Sequence, residues 1–190
     1  MKKLILVLIT AAFVTSCGVQ SIPQSNNDVE AKWAEVQNQY KRRADLVPNL
    51  VETVKGYASQ EKETLTEVIE ARAKATQVTV DPKNLDPAAL QKFQQAQGQL
   101  GQALGRLMVV AERYPNLKSN QNFLALQSQL EGTENRIAIA RRRYIEAVQK
   151  FNNLVTVFPT NITNNIFFNY EKKPQFQATA EESKTPKVSF

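Results

Sequence analysis

The chain has 190 residues, 42% hydrophobic and 22% charged, with 6 glycines and 8 prolines, enough for one domain with a sizeable core and a leader. It carries no histidine and a single cysteine, Cys17, which excludes histidine-based acid–base chemistry, an intrachain disulfide and a thiolate metal cluster. The formal charge is +6; without Lys2 and Lys3 of the leader, 22 basic against 18 acidic side chains leave +4, and the clustered basic and base-stacking aromatic residues of a nucleic-acid binder are not found.

Residues 1–16 read as a lipoprotein signal peptide, with Lys2 and Lys3 as the positive start and residues 4–13 as the apolar region. Ten helical residues span about 15 Å, half of a hydrocarbon core of ~30 Å, so the stretch suits export better than permanent spanning. Val14, Thr15, Ser16 and Cys17 resemble a bacterial lipobox. That resemblance implies cleavage before Cys17 and attachment of acyl chains to its thiol, which makes the membrane the first expected partner. Residues 17–27, polar and interrupted by Pro23, read as the lipidated cysteine and a flexible tether.

The helical bundle is expected over residues 28–168. Asn27 or Asp28 supplies an N-cap, and residues 33–72 form one long amphipathic helix. Its apolar rows run through Trp33, Tyr40, Val47, Val54 and Val68, and through Val36, Leu50 and Tyr57. Pro48 falls inside this pattern and is expected to kink the helix or divide it in two. Residues 79–85 form a connection, after which Asp86 followed by Pro87 is a strong helix start. Leu90, Phe93, Gln97, Leu100, Leu104, Leu107 and Ala111 make the apolar row of that helix. Gly98, Gly101 and Gly105 lie on it too, each costing about 1 kcal/mol against alanine, which points to a closely approaching neighbour.

Tyr114, Pro115 and Asn116 close that helix, and Ser119 or Asn120 opens the next. Its row steps by seven through Phe123, Leu130, Ile137, Tyr144, Phe151 and Phe158 and stops at Pro159. Residues 160–168 read as a short helix whose Ile162, Ile166 and Phe167 cap one end of the bundle. Residues 169–190 read as a mostly extended or mobile tail. The fold class is all-α: an elongated antiparallel bundle of three long helices, four if Pro48 breaks the first, plus a short C-terminal helix.

Several of these segments together resemble the LemA family. The resemblance rests first on Arg42, Arg43, Asp45, Leu46, Pro48, Asn49, Leu50 and Val51. Glu112, Tyr114, Pro115, Leu117 and Lys118 add to it, as do Glu134, Ile137, Arg141 and Tyr144, then Phe158 with Pro159 and Pro186 to Phe190. Ile145, and Phe151 with Asn152, depart from the family pattern. The resemblance implies an antiparallel helical bundle held at a membrane, with no biochemical activity attached.

Charged residues on or beside the apolar rows are Arg43, Asp45, Glu61, Arg72, Glu112, Glu134 and Arg141. They are expected to form a structural ion-pair network that sets helix register. The alternative is an enzyme or metal binder using Glu61, Glu112 and Glu134 as interior carboxylates, although di-iron bundles draw on histidines that this chain lacks. No phosphate-binding glycine loop or nucleophile elbow occurs. The sequence therefore points to a lipid-anchored, non-enzymatic scaffold or interaction module of the bacterial cell envelope, facing the periplasm or exterior. No catalytic residue, cofactor, metal, nucleic acid or small-molecule substrate is expected; the second expected partner is another envelope protein.

Overall fold

Helices with an apolar stripe must share it, and this chain does so by running up, down, up and down along one axis. The structure, a computed structural model, describes residues 2–83 and 85–176, with side chains from residue 19 onward. The elements are α1 (Lys2–Lys55), α2 (Lys62–Gln77), α3 (Pro87–Glu112), α4 (Pro115–Lys118), α5 (Gln121–Thr156) and α6 (Thr160–Phe167). α5 lies antiparallel along α1 in the most extensive interface, while α2 folds back on α1 and against α3. The expected all-α antiparallel bundle is borne out.

The first long helix departs from the sequence reading at both ends. It passes through Pro48 and stops at Lys55, and the break comes at Gly56, Tyr57 and Ala58. Glycine is a poor helix former, and the turn closes when the Ala58 amide donates to the Val54 carbonyl at 2.8 Å. Folding back there lets α2 cover the stripe on the distal half of α1. At its start the helix already includes residues 17–27, so the flexible tether and the N-cap at Asn27 or Asp28 are replaced by continuous helix. Ile22 and Val29 are fully buried, and that burial offsets the penalty of Pro23 within the helix.

Two caps match the sequence reading. The Asp86 carboxylate accepts from the Ala89 amide at 2.8 Å, and the Asn120 side chain accepts from the Phe123 amide at 3.0 Å. Phe123, Leu130, Ile137, Tyr144 and Phe151 are buried, whereas Phe158 is turned outward. α5 ends at Thr156 because Val157 is extended, before a proline-restricted Phe158.

α6 is also rotated from its expected pose. Thr163 and Asn164 are buried, while Ile162, Ile166 and Phe167 face outward rather than capping the core. The Asn164 amide explains this orientation. It donates to the Tyr170 carbonyl and accepts from the Tyr170 amide, both at 3.0 Å, so the polar side of α6 must point inward.

Residues 171–176 follow as an extended strap along α5. Asn152 accepts from the Lys173 amide at 2.8 Å and donates to its carbonyl at 2.9 Å. The Tyr144 hydroxyl donates to the Pro174 carbonyl at 2.9 Å. Phe176 ends the strap against Trp33 and Tyr144, with ring centroids 5.8 and 5.3 Å away. Residues 177–190 of the expected tail lie outside the described residues.

The core has two lobes. One gathers Val47, Leu50, Val54, Leu65, Leu107 and Leu117, and the other is built on Trp33, Phe93, Tyr144 and Phe151. Between them, α1, α2, α3 and α5 each contribute a polar side chain or a carbonyl.

Candidate functional site

Arg43 occupies the junction of the two lobes. It is only 4% exposed, so its charge must be compensated by neighbours rather than by water. One terminal nitrogen donates to the Glu134 carboxylate on α5 at 2.8 Å. The other donates to the backbone carbonyl and to the side-chain oxygen of Gln97 on α3, both at 2.8 Å. The guanidinium also stacks over the Tyr40 ring, 5.1 Å from its centroid. Gln97 in turn donates to the Ala75 carbonyl of α2 at 3.1 Å. One arginine and one glutamine thus tie α1, α2, α3 and α5 at a single level.

A second polar contact repairs the backbone at Pro48. Proline has no N–H, so the carbonyl four residues earlier, on Ala44, lacks its helical partner. Arg72 on α2 supplies one, its Nε donating to the Ala44 carbonyl at 2.8 Å. Helix α1 survives its proline because α2 provides the donor that the chain removed.

The remaining charged positions are dispersed. Glu61 accepts from the Tyr114 hydroxyl at 2.8 Å and pairs with Arg113 at 3.1 Å, pinning the α1–α2 turn to the end of α3. That carboxylate, acting first through the hydrogen bond, pushes the Tyr114 hydroxyl above its ordinary pKa. Glu112 pairs with Lys118, and both are exposed. Arg141 lies over the Phe176 ring at 4.9 Å, and Asp45 is exposed on α1.

The alternative use of Glu61, Glu112 and Glu134 as interior carboxylates is therefore corrected. They engage three different cations, and Glu134 is half exposed. Among the described residues, no three histidine, cysteine, aspartate or glutamate side chains gather where they could hold a metal ion. Arg43 and Glu134 are brought together, while Arg72 is directed to a backbone carbonyl. Cys17 lies on α1 among the residues whose side chains are not described.

The glycines of α3 face open space. An added Cβ at Gly98 or Gly105 would meet nothing within 4 Å, and at Gly101 it would lie 3.8 Å from Arg43. The expected close approach of a neighbouring helix is overturned. Instead, Gly101, Leu104, Gly105, Met108, Leu130 and Glu131 line a groove of about 340 Å³ between α3 and α5.

Sequence reasoning did not find the roles of Gln97, Asn152 and Asn164. Gln97 carried a signal, since an amide within an otherwise apolar row must find a partner. Asn152 binds the strap backbone at Lys173 and Asn164 the backbone of Tyr170 just before it, and no periodicity reports that.

The geometry is that of a bundle whose interior polar groups hold helices to one another. Comparison with known proteins agrees in family. The family model described as LemA family matches residues 32–190. Protein LemA of Metamycoplasma hominis is 25% identical over 138 residues, covering 73% of this chain and 59% of that protein. Magnetosome protein MamQ 2 of Paramagnetospirillum magneticum is 27% identical over 154 residues, 72% of this chain and 56% of the relative. Magnetosome protein MamQ of Magnetospirillum gryphiswaldense is 24% identical over 172 residues, 80% and 63% of the two chains. The chain thus spans between 56% and 63% of the length of these curated relatives. With the family model covering most of its length, the chain belongs to the LemA family.

Proposed function

We propose that this LemA-family chain is a membrane-anchored, non-enzymatic scaffold or interaction module of the bacterial cell envelope. The observation that carries the reading is that α1 runs as helix from Cys17 without a break into the bundle and on to Lys55. The lipobox-like Cys17 and the central rod of the bundle lie on the same helical segment. From residue 19 to its end, that rod extends about 55 Å at 1.5 Å per residue. The reading assigns attachment to acyl chains on the lipobox-like Cys17. Arg43 supports a structural rather than chemical interior, because its terminal nitrogens are engaged by Glu134 and Gln97.

The test is crosslinking with mass spectrometry on intact cells, comparing wild type with Cys17→Ser. Acyl chains on the wild-type Cys17 peptide and a reproducible envelope-protein partner are expected. An unmodified Cys17 peptide in the membrane fraction would refute the lipid anchor. Repeated absence of any partner from lipidated protein would refute the scaffold role.

A further inference from the structure

The exposed apolar residues of this molecule are unevenly distributed. Tyr57, Ile69, Val109, Leu124 and Ile139 are scattered along the bundle, but Val157, Phe158, Ile162, Ile166 and Phe167 fall together at one end. Their exposures are 55, 74, 48, 68 and 62%, high for large apolar side chains so close in sequence. Residues 156–170 carry no charge at all. The buried side of α6 is polar, fixed by Asn164 and Tyr170, so the apolar side is held outward by design of its hydrogen bonds.

That end is also where α1 leaves the bundle toward the leader. Trp33 meets Tyr144, Glu35 meets Arg143 and Arg43 meets Glu134. Each step forward on α1 is matched by one back on α5, which brings Thr156 level with about Ser21. α6 follows directly and packs on both helices. Val19, itself exposed, lies on the same end. Because residues 17–27 are helical rather than a slack tether, Cys17 stands only about 7.5 Å along the axis from the buried Ile22. A bundle anchored at Cys17 has no length with which to hold this end away from the lipid.

We propose that the outward face of α6, with the turn at Val157 and Phe158, is a second and non-covalent membrane contact. It inserts into the headgroup–acyl boundary and sets the bundle's angle to the bilayer. A lipid surface suits this face because it accepts apolar side chains without demanding charge complementarity. Just beyond α6 the exposed Glu171 and Lys172 cancel in charge, so contact of this face with lipid rests on its apolar side chains. The proposal rests on the membrane anchoring proposed above and adds the surface that touches lipid.

The experiment uses the full lipidated chain in phosphatidylethanolamine–phosphatidylglycerol vesicles, with or without bromine on the acyl chains. Phe167→Trp and Ile166→Trp report on α6, Leu124→Trp reports on the far end, and the native Trp33, fully buried, is the internal reference. Circular dichroism checks the fold of each variant. After the Trp33 emission of the wild type is subtracted, at least twofold quenching by brominated lipid is expected at both α6 positions, with none at Leu124→Trp. If the protein floats with the vesicles while both α6 positions remain unquenched, the proposal is overturned and the anchor stands. Blue-shifted emission from these positions without lipid, accompanied by a dimer mass in light scattering, would overturn it in favour of a second copy of the chain. Loss of flotation by the wild type would refute the anchoring reading itself.

Discussion

Replacing Arg72 by methionine should expose how Pro48 is tolerated inside α1. Arg72→Met keeps an apolar stem but removes the Nε that donates to the Ala44 carbonyl at 2.8 Å. Ala44 is 2% exposed, so water cannot readily replace the donor, and an orphaned buried carbonyl costs about 1–3 kcal/mol. Near the thermal midpoint, each kcal/mol shifts Tm by roughly 2–4 °C for a domain of this size. Pro48→Ala restores an N–H in register with the same carbonyl, so Arg72→Met in that background should cost less than about 0.5 kcal/mol beyond its common packing loss. The coupling energy of the double-mutant cycle should therefore be about 1–2 kcal/mol. It is measured by urea unfolding of the four proteins, with fluorescence and circular dichroism followed together to establish two-state behaviour. Equal costs of Arg72→Met in the two backgrounds would refute the idea that Arg72 compensates the proline.

Other substitutions test the remaining contacts. Arg43→Met should destabilise by about 2–3 kcal/mol, because it leaves the buried Gln97 side-chain oxygen without its donor and breaks the ion pair to Glu134. Glu134→Gln should cost nearer 1 kcal/mol, since a half-exposed amide oxygen still accepts; reversal of that order in urea midpoints would contradict the assigned hub. Gly105→Ala should stabilise α3 by about 0.5–1 kcal/mol, because its Cβ meets nothing within 4 Å. A lower thermal midpoint would show that the α3–α5 groove closes on that glycine.

Tyr144 supplies a pH test. Burial pushes its hydroxyl above the ordinary value of 10.0, so the folded state holds that proton more tightly than the unfolded chain. Its contribution to stability is whole below about pH 10 and is lost as pH rises further. Wild type should therefore lose more stability than Tyr144→Phe across that alkaline range, and the difference in urea midpoints isolates this hydroxyl. At neutral pH the same variant should cost about 1 kcal/mol through loss of the bond to Pro174. Parallel pH profiles would refute the assignment.

The heptad rows made the helices, the Asp86 cap and most core-facing residues legible, because burial on one helical face repeats with the helix period. Arg43 and Gln97 were visible as polar residues on or beside apolar rows, yet their partners were not, since Gln97, Ala75 and Glu134 are distant in sequence. Pro48 shows the same division. Its local cost is written in the chain, but whether α1 breaks there depended on a donor from α2. The sequence by itself therefore determined the family, the helical class and the stripes to be buried. Only the tertiary structure decided where α1 turns, which way α6 faces and what each interior charge meets, because those outcomes depend on contacts between remote segments rather than on local periodicity.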